Sequence, residues 1–493
     1  MASYLRRLLA SLGAYQIADV VSKLIAVLLL PVYTRYISPA GYGVVELLAN
    51  GVILISIVVR FGMIESFLRY YYSDEDLARR DALVRRAAAF LLVTTTVAAA
   101  ILAALAGPVS EIVLGYRDAT TLLVAVLGLW AFTNLELAYA VLRVDERLRL
   151  YATASVSNVL LTVAGSLVLV VGLGDGARGL LLGNYGASTI VLLALWLRLR
   201  RRLAPAGVAA ESYALLFGFG LPTVPAEASV YALSIIDRFY IFHDRSRALA
   251  GLYSISIKLA GAVAFIVRAF QYAWPPLAYS ITDDREAGRL YGLVTTYYLL
   301  VCGWVVAGLA LLGRWLLRLL AAPDFFGAYR ALPWVALGWA LYGLWVVFLV
   351  VAGRANVTTR NLPASLAGLA ANVVLLLVLV PPLGLAGAGV ALCGAYVVML
   401  AVMHALTRRA FAVSFEWLRL AQLAVVIGGL AVAGDLLLPT AGIVGLLARL
   451  AVLAAIPLVL LATGFAHAAE LRAGRALVAR ALAARSRGPE AQP

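Results

Sequence analysis

Charge is what this 493-residue sequence has least of. Only 13% of its residues are Asp, Glu, Lys or Arg, against 64% hydrophobic, and its mean hydropathy is +0.96. A soluble domain carries about a quarter charged residues. The chain therefore lacks the polar surface that would cover a globule in water. A soluble enzyme, a disordered protein and a nucleic-acid-binding module are all excluded. Cysteine is nearly absent: Cys302 and Cys393 both lie in apolar segments and give neither a disulfide frame nor a metal site. His243, His404 and His467 are scattered and form no ligand cluster. A P-loop is missing, which argues against ATP hydrolysis by this chain. No cleavable signal pattern opens the sequence. The outward loops are short and His243 is their only histidine, so no catalytic constellation appears and the chain is not expected to be an enzyme.

What the sequence has instead is long apolar runs. A helix needs about 20 apolar residues to cross the hydrocarbon core. About fourteen segments meet that length: 11–36, 41–71, 84–106, 118–142, 151–173, 179–198, 212–241, 250–280, 288–313, 329–353, 361–381, 384–407, 416–437 and 441–465. Lipid leaves no backbone group unpaired, so helices are the expected state. An all-α polytopic membrane protein follows. The positive formal charge of +15 would suggest nucleic acid in a soluble chain, but here its placement sets topology. With the N-terminus in the cytoplasm, 25 basic residues fall in inner loops and 7 in outer loops. By the positive-inside rule both termini are cytoplasmic. The basic tail from Gly474 onward reads as a solvated anchor near anionic lipid.

Eight basic residues remain inside apolar segments: Lys23, Arg35, Arg60, Arg69, Arg238, Lys258, Arg268 and Arg449. Arg35, Arg69 and Arg238 lie near helix ends, where they can snorkel to the interface, and Arg449 is expected to do so less easily. Seven of the eight fall on the first, second, seventh and eighth segments, which also repeat. Val59-Arg60 and Val267-Arg268 stand 208 residues apart, as do Tyr71 and Tyr279, and Glu75-Asp76 and Asp283-Asp284. Thr34-Arg35-Tyr36 resembles Asp237-Arg238-Phe239, and Gly41-Tyr42 resembles Gly251-Leu252-Tyr253. Six helices separate the copies, so the halves are parallel repeats, an arrangement in which transporters place the site between the halves. The expected division is a first lobe at 1–205, a second at 206–410, and two further helices with a basic tail at 411–493.

A charge inside a bilayer costs about 2.5–3.5 kcal/mol on insertion scales and usually faces a cavity or a partner. Arg60 and Arg268 are the leading pair. A guanidinium fork suits phosphate oxygens, and two of them across a lumen would attract a di-anion such as a pyrophosphate. The competing expectation is interhelical pairing with Glu46, Glu136 or Glu227. Glu65, at i+5 from Arg60, is a poor match for a pair on one helix. Lys23 and Lys258 would add to the same cationic cavity. Asp19 and Lys23 are spaced i, i+4 and can neutralise one another. Glu227 follows Pro222 and Pro225, which permit a kink. It is a candidate for proton or sodium coupling, or a partner for Lys258 or Arg268. Glu136 and Glu46 are further coupling candidates.

The stretch LPVYTRYISPAGYGVVELL, from Leu30 to Leu48, resembles the first-hairpin signature of Wzx-type polysaccharide flippases. These belong to the multidrug/oligosaccharidyl-lipid/polysaccharide superfamily. DRFYIFHDRSRALAGLYSISIKLAG, from Asp237 to Gly261, resembles the second-half hairpin of the same family. The resemblance implies two six-helix lobes plus two extra helices, in the inner membrane. It implies movement of undecaprenyl-pyrophosphate-linked oligosaccharide across that membrane for surface polysaccharide synthesis, by alternating access through a cationic cavity. The head group would be held by Arg60, Arg268, Lys23, Lys258, Arg35 and Arg238. No cofactor is implied beyond H+ or Na+ as a coupling ion. The implied partners are the lipid-linked glycan, membrane lipid, a polysaccharide polymerase and glycosyltransferases, with no nucleic acid. The alternatives are a cation-coupled multidrug exporter of the same superfamily and a lipid II flippase.

Overall fold

Five of the described helix starts are written into the sequence by a short polar residue, Ser or Asp, just before the apolar run. The computed structural model describes residues 25, 27–72, 76–203 and 211–467. Among them the elements are helical throughout, and no strand occurs. The end of the first segment forms α1 (Leu30–Tyr36). Ser38 then caps α2 (Pro39–Val59), its hydroxyl accepting from Gly41 N, with Pro39 at the first helical position. The N-terminal half continues with α3 (Met63–Tyr71), α4 (Leu77–Ala104), α5 (Ala106–Leu114), α6 (Ala119–Val144), α7 (Leu148–Leu167) and α8 (Gly176–Leu203). Then come α9 (Glu211–Gly220), α10 (Thr223–Tyr240), α11 (Arg247–Ser280), α12 (Asp284–Leu320), α13 (Leu332–Arg354), α14 (Asn361–Leu383) and α15 (Leu385–Thr407). The last helices among the described residues are α16 (Trp417–Leu437) and α17 (Gly442–Ala462). Asp76, Asp118, Ser246 and Asp283 cap α4, α6, α11 and α12 in the same way. Burial acts to raise the Asp118 carboxyl. Bonds from the Thr121 hydroxyl and N–H and from Thr120 overcome it and hold the group below its usual value.

Thirteen spans among the described residues are long and apolar enough to cross a membrane. They follow the second to the fourteenth expected segments closely, with three differences, while most of the first segment, 11–36, lies outside the described residues. Segment 41–71 is not one helix. It breaks at Arg60–Gly62, where Phe61 and Gly62 take left-handed φ of +49° and +68°. Segment 212–241 breaks between Gly220 and Thr223, at Pro222. The helices α11 and α12 run to 34 and 37 residues, longer than the apolar runs that announced them.

Two bundles result. In the first, α4 and α8 flank α6, and α7 packs on α8. In the second, α13 lies against α11, α12 and α15, and α14 pairs with α15. The apolar core of the first bundle includes Leu216 of α9, packed with Met63, Phe67 and Leu142. The broken helix is therefore shared: α9 packs on α3, while α10 packs on α14. The bundles meet where α2 and α11 cross at their N-terminal ends, and one apolar cluster runs through this contact from Tyr42 and Val44 to Tyr253 and Val263. Helices α16 and α17 lie outside both bundles, against α12.

Arg449 of α17 does not snorkel. It is fully buried and donates to Leu311 O at 3.1 Å, Leu438 O at 3.2 Å, Pro439 O at 3.2 Å and Asp435 Oδ1 at 3.0 Å. The last turn of α16 leaves carbonyls without helical donors. A guanidinium with five N–H groups satisfies several of them at once.

Candidate functional site

Between the bundles lies a cavity of about 750 Å³. Its first wall is Ile53, Ser56, Ile57 and Arg60 of α2 with Phe132 and Glu136 of α6. The opposite wall comes from α10, α11, α13 and α15, and includes Glu227, Tyr231, Arg268, Gln271, Tyr272 and Trp339. Arg60 and Arg268, singled out by the repeat, thus line one space from opposite sides.

The local chain explains why Arg60 points there. It caps the C-terminal end of α2, immediately before the left-handed pair Phe61-Gly62. Only a residue without Cβ fits at Gly62. A Cβ added there would stand 2.1 Å from Gly220 O, at the other helix break. Each break therefore holds the other: Gly220 in turn has room for no side chain against Gly62 O and Ser66 Oγ. Ser66 Oγ also donates to Leu216 O at 2.6 Å.

Arg60 is the hub of an ion cluster. Its side chain is only 9% exposed. Nη1 donates to Glu136 Oε2 at 3.0 Å, and Nη2 is shared between Glu227 and Glu65 Oε1, the latter at 3.3 Å. Its Nε is buried and has no hydrogen-bond partner. The pairing with Glu65 departs from the sequence expectation. The i+5 argument assumes a continuous helix, whereas the break folds the first turn of α3 back beside Arg60. Glu227 turns out to be a partner of Arg60, with α10 carried across by the break at Pro222.

The lining is not cationic among the described residues. It holds two arginines and two glutamates, whose formal charges cancel, and Glu65 adds a third acid to the cluster. Lys258 does not line the cavity. It forms an ion pair with Glu46 at 2.9 Å, and its ammonium lies 5.0 Å from the centre of the Tyr42 ring. Beside it, Tyr231 Oη donates to Asn50 Oδ1 at 3.0 Å, and Asn50 Nδ2 donates to Glu46 O at 2.6 Å. This layer separates the cavity from the crossing of α2 and α11. The crossing is made by Gly43 and Gly251, 208 residues apart. A Cβ on Gly43 would lie 2.2 Å from Arg247 O, and one on Gly251 would lie 1.9 Å from Pro39 O.

The remaining sequence candidates lie elsewhere. Arg35 is exposed and borders a separate pocket of about 570 Å³ with Val32, Leu167 and Val171. Arg238 is half-buried on α10, outside the lining. Asp19 and Lys23 lie outside the described residues. Sequence reasoning missed the aromatic character of the second wall. Tyr231, Tyr272, Trp339, Tyr342 and Tyr396 all contribute, against Phe132 alone from the first bundle. Tyr231 and Tyr272 were within reach, each standing four residues beyond Glu227 or Arg268 on the same helix face. Trp339 and Tyr396 carry no such signal. Asp237 was also overlooked as a buried charge. It is fully buried and accepts from Tyr253 Oη at 2.5 Å.

A family described as polysaccharide biosynthesis protein matches residues 32–325. No curated protein matches the chain by sequence. Among solved structures, the fold is similar to that of the lipid II flippase MurJ in an inward closed conformation. That match has a TM-score of 0.69 at 12% identity and covers 91% of this chain and 98% of the other. An inward-facing multidrug resistance MATE family transporter of the MOP superfamily matches with a TM-score of 0.64 at 12% identity, over 80% and 94% of the two chains. A point mutant of the Vibrio cholerae MATE transporter VcmN matches with a TM-score of 0.53 at 14% identity, over 81% and 94%.

Proposed function

The chain belongs to the polysaccharide biosynthesis protein family, and from that premise we propose that it flips polyprenyl-pyrophosphate-linked oligosaccharide across the cytoplasmic membrane for surface polysaccharide synthesis. One observation carries this reading: Arg60 and Arg268, on repeat-related helices of opposite bundles, line a single cavity. The guanidinium forks hold the pyrophosphate, and the polyprenyl tail stays in lipid, where its transfer costs nothing. The aromatic and polar side chains of the second wall, Gln271 and Tyr272 among them, face the sugars. The termini lie in the cytoplasm. The crossing of α2 and α11 then closes the outer side, and rocking of the bundles opens it. Glu227, Glu136 and Glu46 are the carboxylates available to a coupling proton or sodium ion, together with Asp19. Glycosyltransferases act before the flipping step and a polymerase after it.

The test is complementation of a flippase-deficient strain. Arg60→Ala and Arg268→Ala, expressed at the wild-type level, are expected to lose surface glycan. Wild-type glycan from both variants would sink the proposal. The carboxylates and aromatic rings of the same cavity also suit an organic cation, which is the chemistry of a multidrug exporter. That second reading predicts resistance to cationic drugs on overexpression, abolished by Glu136→Gln and Glu227→Gln.

A further inference from the structure

The proposed head-group site is already filled by this chain's own carboxylates. Arg60 offers a fork suited to a phosphate, yet one nitrogen is taken by Glu136 and the other by Glu227 and Glu65. Three carboxylates around one guanidinium exceed what neutralising it requires. They come from three elements: Glu65 from α3, Glu136 from α6 and Glu227 from α10. Glu65 and Glu136 belong to the bundle that carries Arg60. Glu227 is different, since α10 packs on α14 of the other bundle as well as on α2. Its carboxylate lines the cavity and is more than one-third exposed, so it can be hydrated if it leaves Arg60. The Arg60 Nε, on a side chain nine-tenths buried, has no partner at all in this arrangement. It is a donor left open for an acceptor that the resident carboxylates do not reach.

We infer that Glu227 is the resident competitor for the head group, holding the place on Arg60 that a phosphate takes, so that substrate binding and rupture of the Arg60–Glu227 bridge are one event. The inference rests on the head-group assignment above and adds what it leaves open, namely how the occupant is chosen and how its arrival is felt by both bundles. A singly charged anion that replaces Glu227 exchanges one negative charge for another and gains nothing. A pyrophosphate brings more charge, reaches Arg268 in the same cavity, and offers an oxygen to the open Nε. The site therefore selects polyvalent anions over monovalent ones. Because Glu227 rides on α10, its release removes one tie between the bundles at the cavity, while the Tyr231–Asn50 bond stays in place. An empty carrier keeps this bridge, and a loaded one does not.

The experiment uses the full chain purified in detergent, titrated calorimetrically with inorganic pyrophosphate and, at a mildly acidic pH where it is mostly the monoanion, with inorganic phosphate. Glu227→Gln removes the competing charge while keeping its shape. Binding of pyrophosphate is expected to tighten by about tenfold, the scale of one charge-assisted hydrogen bond. Its preference over phosphate is expected to shrink. Adding Arg60→Ala to Glu227→Gln should abolish the gain. Glu227→Asp, which keeps the charge but withdraws it by one methylene, should tighten binding in the same direction by less, and serves if the glutamine variant fails to fold. Pyrophosphate binding that Arg268→Ala weakens, but that neither Glu227 variant changes, overturns the inference and leaves the head-group assignment standing. No binding to the wild type or to any variant overturns both.

Discussion

At the scale of single residues, burial decides what a charge does. Arg449, Lys258 and Arg60 look alike in sequence, each a basic residue in an apolar run. Arg449 is consumed by the carbonyls at the end of α16 and by Asp435. Lys258 is consumed by Glu46 and the Tyr42 ring. Arg60 alone of the three borders the cavity. Arg449→Met should destabilise the protein by about 3 kcal/mol, since it strands several buried carbonyls. Asp435 is spared the full penalty because it keeps Arg314 at 3.4 Å. A thermal melt of the purified protein checks this, and an unchanged midpoint would show that α16 and α17 do not depend on the staple. The residue types were legible in the sequence. Their partners were not, because each partner lies on a distant element.

At the scale of elements, the informative features are interruptions. The two broken helices, α2/α3 and α9/α10, place Arg60 and Glu227 against each other, and Gly62 and Gly220 lock the breaks together. The proline pair at Pro222 and Pro225 announced one break. The other was hidden, because Arg60-Phe61-Gly62 is ordinary in composition and only its left-handed backbone gives it away. Gly62→Ala forces a side chain into that conformation and into Gly220 O, at a cost of about 1–3 kcal/mol. It should lower the melting midpoint and also impair glycan export, since Arg60 and Glu65 are both placed by the turn. Full export together with wild-type stability would show that the break is incidental.

At the scale of the whole molecule, the two halves are joined by a backbone crossing that leaves no room for a methyl group. Gly43 and Gly251 pack against the Arg247 and Pro39 carbonyls. Just beyond them stand the Glu46–Lys258 pair and the cavity. Gly251→Ala should wedge this crossing apart. Faster amide hydrogen exchange at the first turns of α2 and α11, with α14 and α15 unchanged, is the expected signature. Exchange at wild-type rates across the crossing would mean that the contact is soft and seals nothing.

The sequence by itself determined the solvent, the helices and the repeat. Apolar runs of membrane length leave the backbone no other way to satisfy its hydrogen bonds, and the 208-residue offset is readable from Arg60 and Arg268 to Asp76 and Asp284. It also singled out, as candidates, both arginines and both glutamates that line the cavity among the described residues. Only the tertiary structure decided the electrostatic character of that cavity. A count of basic residues predicts a cationic lumen, but charge in a low-dielectric space is set by who stands next to whom. That proximity depends on two helix breaks and a glycine crossing that bring Glu65, Glu136 and Glu227 around Arg60.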